Sequence, residues 1–388
     1  MSASIKQDVT RLPDEPHPFR RGKLALGAVG FVLLTGGVFW YQFARTPDTA
    51  GPTWDSLRWG YLAPMLLFLP VETVTCGLRT WVMTRVLQPS VSLWSCIKAE
   101  WANVAISTLT PTQSWGGPGQ VYVLSRGGAS VGTSLTIMLL SCIATLAALL
   151  ALAIYSLVVA HTKGAWTVFL TVTSSFVAIG SAMAAVAVWP SPLRATVATF
   201  SRAVWRLRGR RQPLVEWCPP GEAEKGPSVD HMGRLSAKLI DLVYTYRADV
   251  SRFLRQGKGA FVGVCLLSLP FPVSRALIAF FCLRFLGIEA SDFRHILEAQ
   301  LILILLEFFA PSPGGAGIME MASLEVMRDV VSAGYAPYYN LLWRCSTLYL
   351  AALAGFVCLA LALMQDAGRA YGQRVTPGVL STAISKGD

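Results

Sequence analysis

Two stretches place glycine-rich backbone where an anion could be held: PTQSWGGPGQ at 111–120 and PSPGGAGIME at 311–320. Gly116, Gly117 and Gly119 in the first, with Gly314, Gly315 and Gly317 in the second, let the backbone turn tightly and approach a ligand closely. A helix that starts just after such a loop presents free amide groups carrying about half a positive charge, an arrangement suited to phosphate. Gln120 and Glu320 end the two stretches and count with the binding residues. The second chemical signal is ionisable side chains inside apolar sequence, where each costs several kcal/mol unless paired or hydrated. Glu72 and Arg79 lie seven apart, two turns along one helix face. Arg275 falls in the middle of an apolar run, and Glu100 and Glu307 precede the two glycine stretches. Arg126 and Arg344 follow them. Arginines would hold phosphate through charge-assisted bonds; the carboxylates Glu72, Glu100 and Glu307 would accept an amine head group or a coupling proton. The alternative is that Glu72, Arg79 and Arg275 form structural pairs, with Arg126 and Arg344 reaching out to the membrane interface.

The elements that must position these residues are membrane spans. The 388 residues are 53% hydrophobic and only 14% charged, which is the composition of an integral membrane protein. Apolar runs at about 24–43, 59–84, 131–160, 165–189, 259–286 and 338–364 are each long enough to cross a hydrocarbon core of about 30 Å. Shorter runs at about 95–110 and 293–310 lead into the glycine stretches. The first run is too long for a signal-peptide core and reads as a retained anchor.

The formal charge of +11 reflects topology rather than nucleic-acid binding. Thirteen Lys and Arg residues, from Arg194 to Lys258, crowd one central segment, the mark of a cytoplasmic loop. With Arg20, Arg21 and Lys23 also inside, an even number of crossings must separate them, and four long runs supply it. The short run 95–110 therefore reads as one arm of a re-entrant hairpin that turns at PTQSWGGPGQ and returns near Arg126. The same count places 293–335 as a hairpin entering from the opposite face, and the tail bearing Arg369, Arg374 and Lys386 inside. Trp115, Tyr122, Tyr335, Tyr338 and Tyr339 read as interfacial anchors.

Leu69-Pro70 recurs at Leu269-Pro270, Arg85 to Leu87 resembles Arg284 to Leu286, and Pro111 recurs at Pro311, at offsets of 199 or 200. The expected organisation is a cytoplasmic tail (1–22), a membrane repeat (23–189) with a re-entrant loop at 110–120, and a basic cytoplasmic loop (190–258). A second, inverted repeat (259–366) with a loop at 310–320 and a cytoplasmic tail (367–388) follow. The fold expected is all-α and polytopic, about six full spans plus two re-entrant helical hairpins in inverted repeats, the plan of secondary transporters whose sites lie near the midplane.

Enzyme chemistry finds no footing. His17, His161, His231 and His295 are scattered without metal-ligand spacing, no Asp-x-Asp pair exists, and neither Gly22-Lys23 nor Gly257-Lys258 makes a P-loop. The eight cysteines show no paired spacing, and Cys76, Cys96 and Cys142 sit in apolar sequence as small core residues. No cofactor and no metal are expected.

The paired P…GGxG loops, above all the second with its following Glu320, resemble the flippase-like transmembrane domain of lysylphosphatidylglycerol synthases and of stand-alone bacterial and archaeal membrane proteins. The resemblance runs from about the first span to about 366, and Gln120 stands where members of the family often carry an acidic residue. It implies movement of lipids or lipid-linked head groups between leaflets of a bacterial cytoplasmic membrane. The partners expected are an anionic phospholipid or a polyprenyl-linked lipid, and a separate lipid-modifying synthase. The aminoacyl-transferase domain of the synthases is not expected in this chain. An accessory protein that presents a lipid intermediate to such a synthase or to a glycosyltransferase is the alternative.

Overall fold

The computed structural model describes residues 21–45, 51–110, 116–160, 164–189, 196–197, 199–200, 214–217, 230–289 and 292–375. Of the residues named above, His17, Arg20, Pro111, Trp115, His161, Arg194 and Lys386 lie outside that set.

Leucine, alanine and valine runs with few breakers form helices because a helix satisfies every backbone polar group within itself, as a bilayer demands. The first long elements are α1 (Arg21–Ala44), α2 (Leu62–Leu87), α5 (Val131–Tyr155, continued by a π-turn at Ser156–Ala160) and α6 (Ala165–Val188). Between α2 and α5 come the shorter α3 (Leu93–Leu109) and α4 (Gly117–Arg126). Ser92 and Ser130 cap α3 and α5 by accepting the amides of Ser95 and Thr133.

The basic central segment departs from the loop expected of it. It contains an antiparallel two-stranded ribbon, β1 (Leu214–Trp217) with β2 (Asp230–Gly233), and a 23-residue helix, α7 (Arg234–Gln256). Ala237 and Ile240 in the first turns of α7 and Tyr246 and Phe253 further along are buried as the helix packs against α2, α5 and α6, while Lys238, Arg247, Arg252 and Arg255 are exposed. Counting the charges of this segment hid these buried positions.

The second half opens with α8 (Lys258–Ser268) and α9 (Pro270–Phe285), which break the expected run 259–286 at Leu269. Proline at the first turn of α9 has no amide to continue the α8 ladder. Next come α10 (Phe293–Phe309), α11 (Ile318–Val326), α12 (Ala336–Arg344) and, beyond a π-turn at Cys345–Tyr349, α13 (Leu350–Val375). Both α3 and α10 have 17 residues, and they begin 200 positions apart. Helix α3 packs most heavily on α13, and α10 also meets α5 and α6, so each touches the closing span of the other half.

Among the described residues, five helical stretches are long and apolar enough to cross a membrane: Trp59–Leu87, Val131–Val159, Ala165–Val188, Lys258–Phe285 and Ala336–Gln365; a shorter apolar stretch, Val29–Ala44, belongs to α1. Helices α4 and α11, of ten and nine residues, reach only about 15 Å, half of the hydrocarbon core. The burial pattern is that of a lipid-facing bundle. Leu33, Trp40, Leu67, Leu170, Leu353 and Leu361 are exposed, whereas Glu72, Arg79, Glu100, Arg275, Glu307, Glu320 and Arg344 are buried. Tyr339, expected at the interface, is buried instead in an apolar cluster with Ile278, Cys282, Ile296 and Trp343.

Candidate functional site

Helix α2 aims three groups at one cavity. Glu72, Cys76 and Arg79 recur at spacings of four and three, which stacks them on one face, and all three line a cavity of about 310 Å³. Glu100 on α3, Gly117 and Gln120 on α4, Arg275 on α9 and Glu307 on α10 also line it, beside the polar Thr73, Asn103 and Ser107; Ser141 and Thr145 on α5 and Met138 beside them contribute as well.

Glu72 pairs not with Arg79 but with Arg275, across the two halves of the chain. Arg275 Nη2 lies 3.1 Å from Glu72 Oε1, and Nε lies 3.1 Å from Oε2, a side-on fork. Arg275 Nη1 also faces Glu307 Oε2 at 3.9 Å. Glu307 turns its other oxygen to Arg344 Nη1 at 3.6 Å, and Arg344 Nε reaches Glu320 Oε1 at 2.7 Å. The result is a buried row of alternating charge, Glu72, Arg275, Glu307, Arg344, Glu320, that runs from the cavity to the second glycine stretch.

At that end the chain fills its own anion site. Gly314, Gly315 and Gly317 adopt φ of +58, +69 and +84°, a region that side chains disfavour. Glu320 Oε2 accepts the Gly317 amide at 2.6 Å, and Arg344 Nη2 donates to the Gly314 carbonyl at 2.9 Å. The amide expected to hold a lipid phosphate therefore holds Glu320, and none of Gly314, Gly315, Gly317 and Glu320 lines the cavity. In this geometry Glu320 and Arg344 act as a cap on the turn. Arg344, fully buried, was equally well read as an interfacial side chain; its position at the start of the last apolar run gave no sign that two carboxylates would enclose it.

The first stretch behaves differently. Gly117 lines the cavity, but a Cβ on Gly116 would strike Asn103, and one on Gly119 would lie 2.6 Å from the Ala102 carbonyl. Those two glycines serve helix packing of α4 on α3, not ligand contact. Arg126 also leaves the expected set: its Nη1 donates to the Ala362 carbonyl of α13 at 2.8 Å, and it does not line the cavity. Glu100 Oε1 accepts Thr80 Oγ1 at 2.5 Å and Gln120 Nε2 at 3.1 Å, tying α2, α3 and α4 together.

Arg79 differs from the other two buried arginines. Its Nη1 donates to Thr145 Oγ1 at 2.7 Å and Ser268 Oγ at 3.4 Å, its Nε has no hydrogen-bond partner, and no carboxylate pairs with it among the described residues. Thr80, Thr145 and Ser268, absent from the sequence-based set, could have been found as hydroxyls scattered through apolar runs near the charges. Among the described residues no cluster of ligating side chains could hold a metal.

A helical bundle that turns leucines outward and encloses charges around an internal cavity is a multi-pass membrane protein. Residues 26–355 match the family model of the lysylphosphatidylglycerol synthase TM region, and the chain belongs to that family. No curated protein matches the chain.

Proposed function

We propose that this protein carries a lipid head group between the two leaflets through the α2–α5, α9 and α10 cavity, with the acyl chains left in the surrounding bilayer. Membership of the family supports a role in lipid handling. The observation that carries the reading is Arg79, a buried guanidinium without a carboxylate partner among the described residues, facing a cavity whose size suits a head group rather than a whole lipid. In this reading the hairpins α3–α4 and α10–α11 enter the bacterial inner membrane from opposite faces as inverted repeats, and both termini are cytoplasmic. The protein is then a carrier, not an enzyme, and transport runs downhill or on an ion gradient.

The test is lipid movement in proteoliposomes that contain lipids with fluorescent head groups and are quenched from outside by dithionite. Wild type should accelerate exchange. Gly117→Leu should abolish it, because a side chain at Gly117 lands on Met138 Sδ and drives that side chain into the cavity. Wild-type protein that holds lipid and moves none would replace this reading with that of an accessory protein handing a lipid intermediate to a synthase. Full transport by a folded Gly117→Leu variant would remove the cavity from the mechanism.

A further inference from the structure

Resting on the reading of this cavity as a head-group site, we infer that the head group it takes is zwitterionic, with one phosphate and one ammonium, and that anionic phospholipids are excluded. Three carboxylates, Glu72, Glu100 and Glu307, face two guanidiniums, Arg79 and Arg275, so the cavity keeps one formal negative charge. Beyond the cavity, Arg344 and Glu320 pair at 2.7 Å and cancel each other. An anionic head group would add to the uncompensated charge in a desolvated space.

The charges are also unequally engaged. Arg275 is held by Glu72 at 3.1 Å and faced by Glu307 at 3.9 Å, so its field is already compensated. Glu72 and Glu307 are committed to arginines in turn. That leaves Arg79 and Glu100. Arg79 is buried, lacks a carboxylate partner among the described residues, and has an unbonded Nε. Glu100 is buried and, among the described residues, is bonded by the neutral donors Thr80 and Gln120, both on Oε1, which leaves Oε2 for a ligand donor. A buried guanidinium without an anion calls for one, and a buried carboxylate without a cation calls for the opposite. Phosphate on Arg79 and ammonium on Glu100 satisfy both and add no net charge.

The experiment compares purified protein with dihexanoyl phosphatidylethanolamine, dihexanoyl phosphatidylglycerol and glycerophosphoethanolamine as ligands, with binding read by native mass spectrometry. Wild type should prefer the ethanolamine lipid over the glycerol lipid by at least about tenfold, the worth of one charge-assisted hydrogen bond. Glu100→Gln should erase that preference, and Arg79→Gln should weaken both lipids. If Glu100→Gln does not purify as a folded protein, Gln120→Lys, which sets an ammonium against Glu100 from within, should erase the preference in its place. A wild type that binds the glycerol lipid as well or better, or a preference that survives at Glu100→Gln or Gln120→Lys, overturns the inference. Equal binding of glycerophosphoethanolamine would keep the head-group chemistry and overturn a lipid as its source. The transport reading is separable: lipid movement with the preference reversed defeats only this inference, while the preference without movement defeats only transport.

Discussion

Replacing Glu320 by Gln tests whether the buried charge row holds the second glycine stretch in place. Arg344 is fully buried and its Nε sits 2.7 Å from Glu320 Oε1, so the substitution removes one partner of a desolvated ion pair. Such removals cost about 3–5 kcal/mol because they strand a charge. Two features place Glu320→Gln near the lower end. Glu307 remains 3.6 Å from Arg344 Nη1, and glutamine keeps a carbonyl for the Gly317 amide. Arg344→Met belongs at the upper end, about 5 kcal/mol, because it leaves the buried Glu320 without its cation, takes one of the two arginines from Glu307 and removes the Nη2 bond to the Gly314 carbonyl. The double variant should cost less than the two singles added, with a coupling of about 2 kcal/mol, since both singles break the same pair. Unfolding in mixed micelles of dodecylmaltoside and sodium dodecyl sulfate, followed by tryptophan fluorescence, measures all three. Additive costs, or a Glu320→Gln penalty below about 1 kcal/mol as for an exposed pair, would refute the row as the support of this turn.

Gly77→Val should destabilise the protein by about 1–3 kcal/mol in the same assay, as overpacking does, because a Cβ at Gly77 lies 2.6 Å from Ile97 Cγ1 and 2.9 Å from its Cα. An unchanged midpoint would mean that α2 and α3 are free to part. On α7, burial raises the Asp249 carboxyl above its ordinary 3.8, against the opposing pull of Thr133, Thr136 and Arg252. The folded state therefore binds this proton more tightly than the unfolded state. Its contribution to stability is present below pH 3.8 and is lost as pH rises through the raised value. Asp249→Asn should remove that decline and gain stability at neutral pH; a pH profile identical to wild type would contradict the assignment.

The long spans were legible because an apolar run of span length has few other uses. Their ends and breaks were less so: Pro270 begins α9, while Pro70 stays inside α2. The same Leu-Pro pair thus has two outcomes; a second proline, Pro272, follows the one that starts a helix, and Val71-Glu72 follow the one that stays inside. Helix α7 was overlooked because its apolar residues are spaced among arginines, where the eye follows charge. For the site, the residue types were legible and the partnerships were not. Seven-residue spacing correctly put Glu72 and Arg79 on one face, but Arg275, 203 positions away, takes the carboxylate. The duplicated glycines looked equivalent in sequence; only the placement of Glu320 over the Gly317 amide separates a loop that caps itself from one whose Gly117 meets the cavity.

Helix α13 crosses α3 so closely at Gly355 that a Cβ there would collide with the Trp101 carbonyl. A second tie, from Arg126 to the Ala362 carbonyl, fixes α4 to the same helix, and Gln120 fixes α4 to Glu100 on α3. These joints lock α3, α4 and α13 into a single lever with almost no slack between its parts. The opposite wall is joined differently, through the α5 hydroxyls Ser141 and Thr145 and through the buried charges of Arg275 on α9 and Glu307 on α10. That rigid unit is thus assembled from both halves of the chain, and neither half alone supplies one.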